Sequence, residues 1–533
     1  MIRELCAMFI LTTAAASSAR APEPVIWRSD LGDGTYRNPI LHADYSDPDA
    51  IRVGDDFWMV SSSFSHVPGL PILHSTDLVN WRLVSHALPR LFPADTFATP
   101  QHGKGVWAPS IRHHDGKFWI YYPDPDFGLY LVTATDPLGP WSDPVLVLPG
   151  RGLIDPCPLW DDGALYLIHG WAKSRSGISN VLTLLKLTAD GTAVAEDLGV
   201  VIDGHQLSGY TTLEGPKFYK REGWYYIFAP AGGVKNGWQS VFRSRSLRGP
   251  YVDRIVLAQG STAINGPHQG ALVDTPDGQS WFLHFQDREA YGRVVHLQPV
   301  AWQDGWPMIG VNRDGDGRGE PVMSHVKPSL PTGPIAAPQS SDEFDSPALG
   351  LQWQWQANPQ QEWVSLASRT GFLRLFTQPA AAANLFHAPH LLLQKFSAPE
   401  FTVTTRFEFR ASSPDDATGL MVFGFDYAWI GARGDQLVQV TAKHANENPT
   451  FSEDSVPLGD GGIYLRVTVH AGAVCHFFYS RDGRSFAPLG APFQARVSRW
   501  VGAKVGVFAS GRSGGFADYD WFRVTPVDAA SPN

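Results

Sequence analysis

Five segments of this chain share one register, and this repeat limits the fold more than any other feature of the sequence. In each segment a small, polar or acidic residue starts the pattern, and a turn rich in glycine or acidic residues then leads to an aromatic or apolar pair. The five starting residues are Asp47, Ala108, Asp155, Glu214 and His268. Their spacings of 61, 47, 59 and 54 residues indicate a repeat architecture in which each copy is one supersecondary unit.

Each copy predicts two β-hairpins. In the third copy, residues 155–160 and 164–169 flank a turn, and in the first copy residues 71–75 and 77–81 form a second hairpin. Two hairpins make four strands, which is the unit of a β-propeller blade. No long stretch with helical periodicity interrupts the segment from about 38 to 310. We therefore expect an all-β chain that begins with a five-bladed β-propeller.

A proline-rich stretch separates this segment from a second series of strands. Residues 327–338 contain four prolines and no periodicity, which is typical of an extended, semi-rigid linker. Alternating apolar and polar residues then resume, for example at 401–409 and 463–469, and predict a two-sheet β-sandwich. The predicted organisation is a signal peptide at 1–21, a propeller domain at 22–326, a linker at 327–340 and a sandwich domain at 341–533.

The N-terminus has the pattern of a secretory signal. Arg3 precedes a short apolar run at 5–16, and small residues at 17–21 offer a cleavage site. The sequence therefore predicts a secreted or periplasmic protein. No later segment approaches the ~18 consecutive apolar residues of a membrane span.

Charge and cysteine content exclude several classes of partner and site. The formal net charge of −10 argues against nucleic acid or an anionic membrane as partner, because both are bound by basic surfaces, whereas a neutral sugar remains compatible. Cys157 and Cys475 fall in different predicted domains, so we expect two buried thiols and no disulfide framework.

Three of the repeat positions are carboxylic acids. Asp47 and Asp155 each precede a proline, and Glu214 precedes Gly-Pro, so each alone would be an ordinary turn residue. Their shared register instead predicts that all three meet near the axis of the propeller, which turn chemistry does not require. Two or three carboxyl groups around one pocket suit hydrolysis of a glycosidic bond, with one as base, one as proton donor and one raising the donor's pKa. These residues alone leave open which acid has which role.

Motifs along the chain carry a more specific resemblance. The propeller segment contains Asn38-Pro39-Ile40, Asp47-Pro48-Asp49, Trp107-Ala108-Pro109-Ser110, Ile154-Asp155-Pro156-Cys157-Pro158, Glu214-Gly215-Pro216-Lys217 and Asn265-Gly266-Pro267-His268-Gln269-Gly270. In this order they resemble glycoside hydrolase family 43, of the β-xylosidase and α-L-arabinofuranosidase type. Residues 341–521 resemble the concanavalin A-like sandwich that follows this module in the β-xylosidase branch.

The resemblance implies roles for the acids. It makes Asp47 the general base, Glu214 the general acid and Asp155 the residue that tunes the pKa of Glu214 and orients it. It also implies inversion at the anomeric carbon without a required cofactor. An inverting enzyme holds its base and acid about 6.5–9.5 Å apart to admit a water molecule.

Substrate-binding residues are predicted around the acids. By resemblance, His268 and Gln269 form the floor of the pocket and Arg293 reaches the terminal sugar. Trp107 and Phe64 are expected as walls, since sugars stack their C–H faces on aromatic rings. The resemblance also implies a calcium held indirectly near His268.

Two acids of the second domain are weaker candidates. Glu343 and Asp520 are predicted as ligands of a structural calcium, because carboxylate oxygens are the ligands that calcium prefers.

Together these observations predict an exo-acting, inverting glycosidase that removes β-D-xylosyl or α-L-arabinofuranosyl units from hemicellulose oligosaccharides. The sequence does not separate the two sugars. Two alternatives remain open: a non-catalytic carbohydrate-binding propeller, and another five-bladed sugar enzyme such as a fructan hydrolase or a phosphorylase.

Overall fold

The computed structural model describes residues 25–331, 333–379, 384–512 and 514–527, and the predicted signal peptide at 1–21 lies outside them. The described chain is almost entirely β-structure, with a ring of five sheets followed by two larger sheets that pack on each other. The predicted all-β class, a five-bladed propeller followed by a β-sandwich, is confirmed.

The ring consists of four-stranded antiparallel sheets, each formed by four consecutive strands. A short strand, β1 (Thr35–Arg37), precedes it. The first sheet contains β2 (Asp49–Val53), β3 (Asp56–Val60), β4 (Gly69–Ser75) and β5 (Arg82–Leu88). The second contains β6 (Ser110–His114), β7 (Lys117–Asp124), β8 (Gly128–Ala134) and β9 (Val145–Pro149). The third contains β10 (Leu153–Asp161), β11 (Ala164–Trp171), β12 (Val181–Leu187) and β13 (Val194–Asp203). The fourth contains β14 (Lys217–Arg221), β15 (Trp224–Ala231), β16 (Trp238–Ser244) and β17 (Val252–Leu257). The fifth contains β18 (His268–Asp274), β19 (Ser280–Asp287), β20 (Arg293–Gln303) and β21 (Trp306–Ile309).

The first strand of each sheet lies on the inside of the ring. Strand β2 contacts β6, β6 contacts β10, and β10 contacts β14. Strand β15 of the fourth sheet contacts β18, and β18 contacts β2, which closes the circle. After the fifth sheet, β22 (Ser324–Val326) returns to pair with β1. Residues that precede or open these inner strands are therefore brought toward a common axis.

The acid-glycine turns of the repeat have a conformational cause. At 115–116, 162–163 and 222–223 both residues of the turn have positive φ, and in each pair the second residue is glycine. Two-residue hairpin loops of this kind match the right-handed twist of the flanking strands, and they favour Asp-Gly sequences because glycine adopts positive φ at little cost.

The core of the ring lies between neighbouring sheets. Phe57 and Leu73 of the first sheet pack in one cluster with Ala271 and Leu283 of the fifth, and all four are buried. The alternation of apolar and polar residues along the strands directs these side chains between the sheets. Each fully buried side chain of this size contributes about 1.5–3 kcal/mol.

The sandwich contains fifteen strands in the described residues. They are β23 (Gln354–Trp355), β24 (Val364–Ser365), β25 (Leu373–Phe376), β26 (Leu391–Lys395), β27 (Phe401–Arg410), β28 (Ala417–Phe423), β29 (Tyr427–Arg433), β30 (Gln436–Lys443), β31 (Thr450–Pro457), β32 (Ile463–His470), β33 (Val474–Ser480), β34 (Ala487–Pro488), β35 (Phe493–Gln494), β36 (Lys504–Ser510) and β37 (Phe516–Thr525). One sheet has the order β23-β26-β36-β28-β29-β30-β31. The other has the order β24-β25-β37-β27-β32-β33-β34, with β35 also paired to β33.

Helical segments are short. They are α1 (Lys173–Ser176) and the 3₁₀ turns Thr96–Ala98, Gly204–Gln206, Glu289–Tyr291, Gln361–Trp363 and Leu385–His387. Within the residues that the structure covers, no helix has the length and apolar character needed to cross a bilayer.

The two domains are joined by specific contacts. Asp44 of the propeller accepts hydrogen bonds from the backbone N–H of Arg293 at 2.9 Å and of Gly502 in the sandwich at 2.9 Å. The backbone N–H of Ala503 donates to the carbonyl oxygen of Ala290 at 2.7 Å. These bonds hold the sandwich loop that contains Trp500 against the end of the propeller.

Candidate active site

The three acids of the repeat lie at equivalent positions of the inner strands. Asp47 stands two residues before β2, Asp155 is the third residue of β10, and Glu214 stands three residues before β14. The pairing of β10 with β11 shifts register between Ile154 and Cys157, and Asp155 lies within this irregularity. The three carboxyl groups are close enough to influence one another electrostatically. The structure thus brings together the acids that the sequence placed in one register.

Strained backbone occurs at these positions. Asp47 has φ of 53° and Asp155 has φ of 57°, both in the left-handed region that non-glycine residues rarely adopt. Such a conformation costs on the order of 1–3 kcal/mol and persists where surrounding contacts compensate for it. In both residues the carboxylate accepts short hydrogen bonds that supply this compensation.

Asp47 is held by donors on several sides. Its Oδ2 accepts hydrogen bonds from the hydroxyl groups of Ser46 at 2.7 Å and Ser62 at 2.6 Å. The Nη1 of Arg293 donates to Oδ1 at 3.0 Å and to Oδ2 at 3.3 Å. The side chain is 7% exposed, and all of these neighbours present donors to it. This is the environment of a carboxylate anion with a fixed orientation.

Asp155 is buried, and Glu214 lies beside it with a side chain that is 24% exposed. Burial raises the pKa of Glu214, and the charges of Asp155 and Asp47 raise it further, while Arg293 opposes them. Burial also raises the pKa of Asp155, but the backbone N–H of Gly215 donates to its Oδ2 at 2.7 Å and lowers the pKa. Because that hydrogen bond favours the charged form of Asp155, we infer that Glu214 carries the proton of the pair.

Gly215 allows this arrangement. Its φ is 59°, and a Cβ atom at this position would lie 2.8–3.1 Å from side-chain atoms of Gln269. Glycine is therefore required both for the backbone conformation and for the close packing of Gln269. The amide hydrogen bond to Asp155 depends on the same conformation.

His268 and Gln269 lie beside the acid pair. His268 is fully buried, and its Nε2 is 3.4 Å from Oε1 of Glu214. Burial, with the charge of Arg293, lowers the pKa of His268 to about 3, so the imidazole is neutral. Gln269 is 3% exposed, and its side chain lies next to Asp155, whose pKa it helps to lower. Both residues are thus next to the acids, as the sequence predicted.

Both the backbone and the guanidinium group of Arg293 are held by hydrogen bonds. Its backbone N–H donates to Asp44, its Nη1 also donates to the hydroxyl of Ser46 at 2.8 Å, and its guanidinium lies 4.8 Å from the centre of the Phe285 ring. These contacts place a fixed positive charge between the base candidate and the open side of the site.

The aromatic wall is formed by both domains. Trp107 is half-buried, and its ring contacts Phe64 at 6.4 Å and Trp500 of the sandwich at 6.0 Å between ring centres. Phe64 is only 3% exposed and meets Trp107 edge-on, so it supports Trp107 from behind and presents little surface of its own. Trp500 is 40% exposed and also lies 5.8 Å from the guanidinium of Arg293.

Sequence reasoning missed several of these residues. Ser62 lies in a run of serines that carried no chemical signal by itself, and Asp44 lies outside the repeat register. Trp500 is more than 390 residues from Trp107 in the chain. Only the docking of the domains brings it to the site.

The predicted calcium ligands have other partners. Glu343 accepts two hydrogen bonds from Arg523, each of 2.8 Å, and Asp520 lies 3.2 Å from Arg406. His268 has Glu214 at 3.4 Å and the ring of Phe285 at 5.5 Å as neighbours. In the described ranges, no three His, Cys, Asp or Glu side chains form a group suited to a metal ion, and calcium requires about six to eight oxygen ligands. These residues do not fit a calcium site formed by protein ligands.

Comparison with known proteins gives consistent matches over both domains. The family described as Glycosyl hydrolases family 43 matches residues 36–307, and the Beta xylosidase C-terminal Concanavalin A-like domain matches residues 341–525. A relative from Xylanibacter ruminicola is 40% identical over 479 residues, which cover 90% of this chain and 86% of the relative.

Two further relatives and one solved structure are named as xylosidases or as an arabinofuranosidase. A protein named Beta-xylosidase from Formosa agariphila is 31% identical, with 92% of this chain and 90% of the relative covered. A Non-reducing end alpha-L-arabinofuranosidase from Bacteroides ovatus is 31% identical, with 94% and 97% covered. The crystal structure of xylan beta-1,4-xylosidase from Bacillus halodurans C-125 has a TM-score of 0.81 at 27% identity, with 92% of this chain and 99% of that chain covered.

Proposed function

The chain belongs to glycosyl hydrolase family 43, and we propose that it is an exo-acting, inverting glycosidase that releases terminal β-D-xylosyl or α-L-arabinofuranosyl residues from hemicellulose oligosaccharides. The relatives named above include a β-xylosidase and an α-L-arabinofuranosidase, which supports both sugars. The observation that carries the proposal is a pair of carboxyl groups in contrasting environments at one site. Asp47 accepts hydrogen bonds from two hydroxyl groups and Arg293, whereas burial and the charges of Asp155 and Asp47 raise the pKa of Glu214.

The proposed reaction assigns one role to each acid. Glu214 donates its proton to the glycosidic oxygen as the bond to the anomeric carbon breaks. Asp47 removes a proton from a water molecule, and the oxygen of that water forms the new bond on the opposite face of the sugar. Asp155 stays ionised, and its charge keeps Glu214 protonated before the reaction. No step requires a group other than these side chains and water.

The surrounding residues support action at chain ends. Arg293 fixes Asp47 and also lines the open space beside the acids. Trp107 and Trp500 supply aromatic surface, and the sandwich loop that carries Trp500 covers one side of the site. A site closed on one side admits the end of an oligosaccharide more readily than the middle of a chain.

A direct assay tests the proposal. Nitrophenyl β-D-xyloside and nitrophenyl α-L-arabinofuranoside are incubated with the protein, and the configuration of the released sugar is followed by NMR. We expect hydrolysis of at least one substrate, with the opposite anomer as the first product. A product that keeps the original configuration, or turnover that requires inorganic phosphate, would contradict the proposal.

We also propose that the protein acts outside the cytoplasm. The charged start, apolar run and small residues at 1–21 support this proposal. N-terminal sequencing of the protein from its native host should find a chain that starts close to residue 22. A chain that retains residues 1–21 would contradict it.

A further inference from the structure

A cleft of about 1060 Å³ lies between the fifth propeller blade and the loops of the sandwich. Its lining includes Arg293 and Trp500, which also belong to the acid site. The cleft therefore opens directly from the proposed catalytic pocket. In an exo-acting enzyme the terminal sugar occupies the pocket, so the leaving-group part of the substrate extends into the adjoining space. Its volume is at the upper end of the range found for small-molecule sites.

The lining of this cleft is rich in exposed cations. Lys235, Arg288 and Arg499 form no ion pair with any carboxylate in the part of the chain that the structure covers, and all three are exposed. A fourth cation, Arg496, is paired with Asp426 at 3.1 Å. The chain as a whole has a net charge of −10, so a cluster of unpaired cations in one cleft differs from the average charge of the protein.

Two carboxylates also line the cleft, and both belong to the loop of Arg288. Asp287 accepts a hydrogen bond from the backbone N–H of Glu289 at 3.1 Å, at the start of a 3₁₀ turn. This bond partly compensates the negative charge of Asp287. Unpaired cations still outnumber carboxylates in the lining, and they are contributed by both domains.

Arg499 is held in position by both domains. Its guanidinium lies 4.9 Å from the centre of the Trp500 ring. Its side-chain carbons pack on Gly103 of the propeller so closely that a Cβ atom there would lie 2.3 Å from Cγ of Arg499. A guanidinium positioned in this way loses less conformational freedom when it binds a carboxylate.

We propose that this cleft binds a negatively charged leaving group, and that Arg288 and Arg499 recognise a carboxylate on it. The favoured substrates are then hemicellulose fragments that carry a uronic acid on the leaving-group side of the scissile bond. This inference rests on the proposed glycosidase function. The acids of the pocket would repel a substrate carboxylate in the terminal sugar, whereas the cleft offers opposite charge to a carboxylate farther along the chain.

The test compares two matched oligosaccharides. Both end in the sugar that the protein releases, one carries a glucuronic acid on the leaving-group side, and the other is the same molecule after reduction of that carboxyl group to an alcohol. We expect kcat/KM for the acidic substrate to be about 10-fold higher at low salt, mainly through a lower KM. This ratio should fall at 0.5 M NaCl, where charge interactions in an open cleft are screened.

Variants test whether Arg288 and Arg499 bind the substrate carboxylate. The double variant Arg288→Gln, Arg499→Gln should bring the ratio of the two kcat/KM values close to one, and Arg499→Lys alone should keep part of the preference. Arg82→Gln is the matched control, because Arg82 is an exposed arginine of β5 that does not line the cleft. It should leave the ratio unchanged. Circular dichroism and thermal melting of each variant confirm that the fold is retained.

The outcomes separate the inference from the proposed function. Hydrolysis of both substrates at equal efficiency by the unaltered protein would overturn the inference and leave the glycosidase function intact. A preference that survives in the double variant would overturn the assignment to this cleft. If neither substrate is hydrolysed, nor either nitrophenyl glycoside, the proposed function fails and the inference fails with it.

Discussion

Asp47, Asp155 and Glu214 have similar chemistry in water, and their surroundings in the fold make them different. Asp47 accepts hydrogen bonds from two serines and Arg293, whereas Glu214 is only partly exposed and lies beside Asp155 with a neutral His268 as neighbour. The first environment stabilises an anion and the second disfavours one. A base and a proton donor therefore arise from neighbouring carboxyl groups of one site.

The role of Glu214 is tested by leaving-group dependence. Glu214→Gln removes the proton donor, so hydrolysis of substrates with poor leaving groups should fall by about 10²–10⁴-fold. Substrates with acidic phenol leaving groups should be affected far less, because those groups leave without protonation. Steady-state kinetics on a series of aryl glycosides measures the difference.

Glu222→Gln is the control, since Glu222 is exposed in the hairpin turn of the same blade. It should behave as the unaltered protein on every substrate. An equal loss on good and poor leaving groups in Glu214→Gln would contradict its role as acid.

The role of Asp155 is tested by pH dependence. Because the pKa of Glu214 is raised in the folded protein, the acid stays protonated above its usual range, and activity is lost as the pH rises through that raised pKa. Asp155→Asn removes a negative charge that contributes to the shift, so the alkaline limb of kcat/KM should move to lower pH by about 1 unit. The measurement is the pH profile between pH 4 and 10.

Asp162→Asn provides the comparison, because Asp162 belongs to the same blade but its side chain is 90% exposed. Its pH profile should match that of the unaltered protein. An alkaline limb that stays in place in Asp155→Asn would show that Asp155 does not set the protonation of Glu214.

At the scale of the elements, the entry to each inner strand determines the geometry of the site. Asp47 and Asp155 adopt left-handed backbone there, and Gly215 does so one residue after Glu214. The first, third and fourth blades thus each have a residue of left-handed backbone near the start of the inner strand. Strain at these entries is compensated by hydrogen bonds that also orient the acids.

Gly215→Ala tests this connection between strand entry and activity. The new Cβ would be placed in left-handed backbone and would collide with Gln269, so we expect a loss of stability of about 1–3 kcal/mol and a loss of turnover larger than the loss of substrate binding. Urea unfolding and steady-state kinetics measure the two effects.

Gly163→Ala is a matched control. Gly163 has φ of 74°, but nothing lies within 4 Å of the position its Cβ would take. This variant should lose about 1 kcal/mol of stability through backbone strain alone and keep its turnover. Comparable turnover in both variants would contradict the role assigned to Gly215.

At the scale of the whole molecule, the sandwich completes a site whose acids all come from the propeller. Its loop reaches the propeller through Gly502, which shares Asp44 with the backbone of Arg293. Propeller residues Ala290, Tyr291 and Val294 pack into the same apolar cluster as the sandwich core. The two domains therefore form one structural unit around the site.

Trp500→Ala tests the contribution of the sandwich to substrate binding. Loss of the ring removes aromatic surface beside Trp107, so KM for an oligosaccharide should rise by about 3- to 10-fold while the fold is retained. Phe451→Ala is the control, because Phe451 is a 52% exposed aromatic residue on β31 of the sandwich and does not line the cleft. An unchanged KM in Trp500→Ala would exclude this ring from the substrate site.

The repeat and the residues that follow from it are readable in the amino-acid sequence alone. The shared register predicts five blades and selects Asp47, Asp155 and Glu214, because equivalent positions of a closed ring face the same axis. The β-sandwich followed from alternation along its strands. These are local patterns, and they are readable within one copy or one strand.

The neighbours of the acids and the contacts between the domains depend on tertiary packing. The bond between Asp44 and Gly502 joins residues 458 positions apart, and no periodicity or motif of either segment indicates it. The position of Trp500 beside Trp107 depends on the same docking. The raised pKa of Glu214 also depends on tertiary packing, because its causes, burial and nearby negative charge, arise only when separate blades enclose one pocket.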